Sequence, residues 1–432
     1  MTFEQRLERD LPLILDDIAM GTYPDYIDGV LATTATRRQR PRWTFPERWL
    51  PVELASARVP MARLPWRQLA VLAILAALLA TMVAVYVGSQ RQPQPFGPAA
   101  NGLVVYSDSG DIFVRDAVDR PQRLLIGGPD TELIVGFSRQ GDRFLFARQA
   151  DDRAPMTLGI SRPDGTGVQM LAGEYRLISG IDWSPAGDAI AVTHSVKGKD
   201  TLSIVPSDGS PATDFDLDVT ATEVAWRPPD GTQLSFLGKD GRDWGLYLIA
   251  RDGSGLQRLP IASDKLFETE YDVRNHRWSG DGRRVLYDQI HDVQAGNHSG
   301  LRVHLAEISP DGTLVSDTRY EFEDWADDEL NASFLRGTDR IVYQRRRGNE
   351  EVGITDTLKI VPLVDGAEPI DLGIESTAGQ GVGYEISPDG TQLISILWGE
   401  KQTYVTDLET YETTVAPFVS DEGATWQRVA IP

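Results

Sequence analysis

From Asn101 to the C-terminus the chain runs in short stretches in which apolar and polar residues alternate, each bounded by Gly, Pro, Asp or Ser. Period-two alternation between turn residues is the pattern of half-buried strands. One phrase recurs within it. Tyr384–Leu397 reads YEISPDGTQLISIL, an alternating stretch, a Ser-Pro-Asp-Gly corner and a second alternating stretch. Proline presets φ for the first turn position, Asp bonds to nearby backbone, and Gly takes the left-handed position that follows. The phrase predicts a β-hairpin.

Worn copies of it begin at Gly136 (GFSRQGDRFLFA), Ile181 (IDWSPAGDAIAV), Val224 (VAWRPPDGTQLSF), His276 (HRWSGDGRRVLY) and Ala332 (ASFLRGTDRIVY). Their anchors, with that of the Tyr384 copy, are Phe137, Trp183, Trp226, Trp278, Phe334 and Ile386, which lie 46, 43, 52, 56 and 52 residues apart. A large anchor before the turn gives each unit a bulky plug to bury against its neighbour. A third strand such as GLYLIARDG follows from Gly245, then a short fourth such as QRLPI from Gln257. A period of this size filled with short strands predicts a propeller of four-stranded blades.

Asn101–Leu125 offers second, third and fourth strands with no aromatic-corner phrase before them, and Ala424–Pro432, with Trp426, offers that missing piece. The C-terminal strand, Thr425–Val429, is therefore expected to pair with Leu103–Val105 and close the ring, removing exposed sheet edges. Six phrases and one shared blade predict seven blades. Six stay open if the Ala332 phrase, which lacks both Pro and Asp-Gly, is degenerate.

Taken together, the copies resemble the WD-repeat-like propeller repeat of TolB-type proteins over Asn101–Pro432. The resemblance implies an all-β propeller with an interaction role, and no particular reaction, because that fold hosts many functions.

A different pattern precedes it. Leu69–Gly88, LAVLAILAALLATMVAVYVG, carries no charge over twenty residues, which as a helix spans roughly 30 Å, the thickness of a bilayer core. With 68 residues before it, this is no cleaved signal peptide. Eight arginines lie between Arg37 and Arg67, against Glu47 and Glu53, while Arg91 stands alone on the far side. By the positive-inside rule the N-terminus is cytoplasmic and the propeller extracytoplasmic, so a single-pass protein of the cell membrane is expected. The expected layout is a helical segment over 1–36, a connector over 37–67 and a transmembrane helix over 68–89. A linker over 90–100 and the propeller over 101–432 complete it.

Thr2–Gln5 can form a capping box, after which Phe3, Leu7, Leu11, Leu15 and Ile18 share a helical face, with Pro12 as a kink. A second short helix runs from Pro24 to about Ala35. Faces so small need cover, either the membrane surface or a cytoplasmic partner bound at residues 3–35. Short inner helices, one span and an outer domain resemble the organisation of transmembrane anti-sigma factors, which implies a regulator holding a transcription factor. The zinc-binding His and Cys pattern that many of those carry is absent here. The plainer alternative is a helical membrane-proximal anchor. In the connector, Arg residues alternate with Trp43, Trp49 and Trp66, a composition suited to anionic lipid headgroups beside a span.

Charge and composition narrow the chemistry. The 432 residues include 42 Lys and Arg against 64 Asp and Glu, a formal charge of −22, and no cysteine. Such a surface opposes nucleic acid, and thiol chemistry and disulfides are excluded. No Gly-x-Ser-x-Gly elbow occurs. The five histidines show no metal-ligand spacing, and His276 reads as a packing residue on an inner strand. Glu321–Glu329 (EFEDWADDE) places six acids in nine residues, either a calcium site or a solvated loop. Asp288–Arg302 reads as an extended hairpin tip. No cofactor and no metal is predicted.

Propellers bind ligands at a mouth of the central channel, expected here where the innermost strands begin. The charged residues nearest those positions are Asp182, Glu223, Arg274, Arg277, Glu329 and Glu385. The expected function is a non-catalytic binding or sensing module for a protein or cell-envelope ligand, with a hydrolase or lyase of the channel mouth, worked by Glu385 and Asp182, as the enzymatic alternative.

Overall fold

The structure, a computed structural model, describes residues 73–76, 93 and 95–431 except 197, 242, 262–272, 291–299, 323–326, 350–352, 365, 378 and 380. The chain divides into two compact units, Met1–Val85 and Tyr86–Pro432. The expected helices over 1–36, the connector and most of the span fall outside the described residues. Within the span Ala73–Ala76 is helical, with Ile74 and Leu75 exposed. Among the described residues no helix is long and apolar enough to cross a membrane.

In the second unit the corner phrases do what their wording asks. At the phrase quoted first, Gly390 adopts φ 76° and donates its N–H to the Ser387 carbonyl at 2.9 Å. Asp389 Oδ1 accepts from Ser387 Oγ at 2.7 Å and from Thr391 N at 2.9 Å. The copy at Ser279 repeats these bonds, with Asp281 and Gly282 in the same roles. In the Ala332 copy, which lacks Pro and Asp-Gly, Thr338 substitutes. Its N–H and Oγ1 both donate to the Leu335 carbonyl and its Oγ1 accepts from Arg340 N. That phrase is therefore intact, and the six-bladed alternative falls.

Seven four-stranded antiparallel sheets result. Blade one is made of Ala424–Val429, Ala100–Asp108, Asp111–Arg115 and Gln122–Ile126, in that order from the inside. The inner strands of blades two to seven are Thr131–Phe137, Arg176–Trp183, Thr220–Trp226, Val273–Trp278, Asp328–Phe334 and Val382–Ile386. The last strand of the chain thus joins the first sheet, pairing Trp426 with Val104, Thr425 with Val105 and Ala424 with Tyr106.

A propeller has no single core. Each of the seven apolar clusters lies between two neighbouring blades. The closing interface joins Val104, Tyr106 and Trp426 of blade one to Ile394 and Val405 of blade seven, with Phe418 of the segment between the two blades. The anchor tryptophans add polar clasps between blades. Trp183 Nε1 donates to the Gly136 carbonyl and Trp226 Nε1 to that of Asp182, each at 3.2 Å.

A second clasp spans the closure, where Asn101 Nδ2 donates to Asp389 Oδ2 at 2.8 Å and Asp389 N to Asn101 Oδ1 at 3.1 Å. Because Asp389 is exposed and holds both the corner and this clasp, Asp389→Ala is expected to lower stability by about 1–2 kcal/mol, read as a lower midpoint in urea. A change below a few tenths would show that the corner carboxylate is dispensable.

Candidate functional site

At the end of the channel where the inner strands finish, the corner phrases project side chains inward. Two positions matter, the residue before the anchor and the second residue after it. Before the anchor stand Asp182, Arg277 and Glu385. Two residues after it, four copies carry the turn-forming Pro185, Pro228, Gly280 and Pro388, but two carry Arg139 and Arg336, and the closing strand carries Arg428. All six charged residues line one cavity of about 1130 Å³. Five arginines line it in a chain whose balance is strongly acidic.

Their bonds are specific. Arg139 Nη2 lies 3.2 Å from Asp182 Oδ1, and Asp182 Oδ2 accepts the Trp226 N–H at 2.8 Å. Arg428 donates to the Gly97 carbonyl at 2.8 Å. Arg336 Nη1 donates to the Pro388 carbonyl at 3.3 Å and Arg277 Nη1 to that of His276 at 3.0 Å. Among the described residues neither Arg277 nor Arg336 has a carboxylate at ion-pair distance. The Arg139 guanidinium sits 5.2 Å from the centre of the Phe96 ring, which also lines the cavity. At the other end of the blade-seven inner hairpin, Trp398 covers Gly383, where an added Cβ would come within 2.6 Å of the indole.

Burial sets the electrostatics. It raises the Glu385 carboxyl above its ordinary value, opposed by Arg336, Arg139 and Arg277. It likewise raises Asp182, against Arg139 and the Trp226 N–H. Burial lowers Arg336, with Glu385 opposing and Arg139 reinforcing, and brings Arg428 down to about 10 with help from Arg336 and Arg139. These couplings show cations of blades six, one and two crowding one space.

The other three candidates do not line the cavity. Glu223 sits at a bulge of the blade-four inner strand with φ 49°, and its Oε2 accepts Asn275 N of blade five at 2.6 Å. Burial raises its carboxyl. Arg274 lies beside it and beside Asp288. Glu329 is fully buried, its Oε1 accepting Phe322 N at 2.6 Å. The arginines gather where the inner strands end, while Gly383, Trp398 and Ala424 line the cavity near where inner strands begin.

Two further readings change. The acidic run is no solvated loop at its far end, because Asp327, Asp328 and Glu329 are buried. Asp327 is ion-paired with Arg345 and with Arg347, and Asp328 Oδ1 accepts Leu301 N at 3.0 Å. Asp288 is no hairpin tip but lies within the strand Arg284–Ile290, fully buried. Its Oδ2 accepts Asn275 Nδ2 at 2.6 Å and Asn331 N at 2.7 Å, tying blade five to blade six.

Burial pushes Asp288 up to about 7, Glu223 adds to the rise, and the Asn331 and Asn275 bonds and Arg274 oppose it. The folded state therefore holds a proton that the unfolded chain has released between about pH 4 and 7, so rising pH favours the unfolded chain and removes stability through that window. Relative to Asp288→Asn, the wild type is expected to lose stability steadily from pH 4.5 to about 7 and to level off above it. Parallel urea midpoints for the two proteins across that range would refute it.

Two Ser–His pairs invite a catalytic reading. His276 Nε2 meets Ser235 Oγ at 2.8 Å, and His194 Nε2 meets Ser203 Oγ at 2.8 Å. Both serines are fully buried, Ser203 donates to Asp214 and Ser235 accepts from Trp278 Nε1. His276 is held neutral, burial having brought it down to about 3. These are packing networks of the blades.

No family model and no curated protein matches the chain. Solved structures do. The tricorn protease aligns with TM-score 0.52 at 9% identity, covering 78% of this chain and 35% of that one. A prolyl endopeptidase aligns with TM-score 0.51 at 12% identity, covering 80% and 56%. TolB from Acinetobacter baumannii aligns with TM-score 0.43 at 13% identity, covering 76% and 80%. The two scores above one half speak to the propeller fold alone, and this chain spans about a third of the tricorn chain and about half of the prolyl endopeptidase chain.

Proposed function

We propose that this chain is a binding module, tethered to the membrane by Leu69–Gly88, whose extracytoplasmic propeller takes a ligand into the channel mouth. The observation that carries the reading is the cavity of about 1130 Å³ lined by Arg139, Asp182, Arg277, Arg336, Glu385 and Arg428. Ligand sites are concave, with apolar walls and a few convergent polar groups, and Trp278, Phe334 and Trp398 supply such walls. The tether rests on the uncharged run and on the arginines before it.

The test is a thermal-shift screen of the full chain in detergent against peptides, glycans and metal ions, since a ligand of the folded state raises the melting temperature by mass action. A hit that Arg277→Ala abolishes supports the mouth. A hit indifferent to Arg277→Ala and Trp398→Ala moves the site elsewhere. Protease added to intact cells should cleave the propeller and spare the N-terminus, and the opposite pattern overturns the orientation.

A further inference from the structure

We propose that the ligand of this mouth presents a carboxylate, gripped by Arg139 and Arg336 with Arg428 behind them, and an aromatic or apolar body laid against Phe96, Phe334 and Trp278. The inference rests on the proposed binding function and adds the chemical class.

The repeat itself points there. The second place after the anchor belongs to the turn, and Pro185, Pro228, Gly280 and Pro388 serve it. The corners at Arg139 and Arg336 close without such a residue, as Ser138 N donates to the Arg143 carbonyl and Leu335 N to that of Arg340, both at 2.9 Å. The turn does not need arginine. Both departures, and Arg428 at the matching place on the closing strand, face one cavity. Crowding three guanidinium groups in a half-buried space is unfavourable by itself, and the lowered Arg336 and Arg428 register it. An anion relieves that repulsion.

Charge counts choose among anions. Around the whole cavity stand Arg139, Arg277, Arg284, Arg336 and Arg428 against Asp182, Asp281, Asp339 and Glu385, five cations and four acids with one positive charge over. A single negative charge balances it, whereas a dianionic phosphate meets Glu385 and Asp182. The planar guanidinium fork fits a carboxylate through two parallel hydrogen bonds.

The experiment titrates the full chain in detergent with benzoate, with benzamide as its neutral isostere and phenyl phosphate as the dianion, by calorimetry and ligand-observed NMR. Benzoate is expected to bind about tenfold more tightly than benzamide, and more tightly than phenyl phosphate. Arg336→Gln should weaken benzoate about tenfold. Arg139→Pro, which restores the Ser-Pro wording of the corners at Ser184 and Ser387, should do so without disturbing the turn. Glu385→Gln should tighten benzoate several-fold, a gain that misfolding cannot produce. Equal binding of benzoate and benzamide refutes the anion preference while leaving a binding mouth. Tighter binding of phenyl phosphate replaces carboxylate by phosphate. Absence of benzoate binding, or indifference to Glu385→Gln and Arg139→Pro together, overturns the inference, and the thermal-shift screen then decides whether the mouth binds anything.

Discussion

Truncation before Ala424 is expected to abolish cooperative folding of the propeller and leave an aggregating chain. The deleted strand forms the inner edge of blade one, so its loss uncovers the backbone of Ala100–Asp108 and the fully buried Val104 and Tyr106. An open apolar edge is a template for association. It also removes Trp426 from the closing cluster, where it packs with Val104, Phe418 and Ile396. Trp426→Ala alone should cost about 3–5 kcal/mol, a large part of the 5–15 kcal/mol that holds a typical domain. Size-exclusion chromatography and a circular-dichroism melt check both forms. A monomeric truncated chain with a sharp melt would show that blade one holds with three strands.

Removing Arg148 is expected to have the second-largest effect. Glu132 is fully buried, and Arg148, its direct cross-strand partner, reaches its Oε1 at 3.0 Å with Nε. Burial raises the Glu132 carboxyl and Arg148 opposes the rise. Arg148→Ala strands a carboxylate in the interior, which typically costs about 3–5 kcal/mol. The pH dependence identifies the cause. With its partner gone Glu132 titrates higher still, so the loss is full above that raised value and fades as pH falls through it. The destabilisation should therefore be smaller at pH 5 than at pH 8. Glu132→Gln added to Arg148→Ala should recover much of it, since the double change leaves no buried charge. A pH-independent loss without such recovery would assign Arg148 a packing role over Phe146, whose ring centre lies 5.6 Å from its guanidinium.

Much of the architecture was legible because corner chemistry is local. Ser-Pro-Asp-Gly specifies its own hairpin, so counting corners counts blades, and a strand set lacking its corner leads to Trp426. The site was half legible for an equally physical reason. Reading which side chain faces the channel assumes unbroken alternation, and a bulge slips the pattern by one residue. The inner strands of blades four, five and six bulge between Thr222 and Ala225, Arg274 and Arg277, and Leu330 and Ser333. Residues beyond the register shift or on unbroken strands, Asp182, Arg277 and Glu385, line the cavity. Glu223, Arg274 and Glu329, at or before the bulges, do not. Arg139 and Arg336 carried a signal, their departure from the turn wording, which single-copy reading passes over. Asp288 carried none, because nothing local distinguishes a buried strand aspartate that serves two neighbouring blades.

The pairing of the chain's last strand with its first sets a timetable for biosynthesis. Leu103 N bonds to Gln427 Oε1 across 324 positions of sequence, so the earliest propeller strands leave the ribosome long before their partner exists. Such long-range pairing is slow to form, and until then the nascent edge needs shelter. Cells making this protein are expected to hold its growing chain on a holding chaperone until the final residues are released, with maturation following synthesis rather than accompanying it.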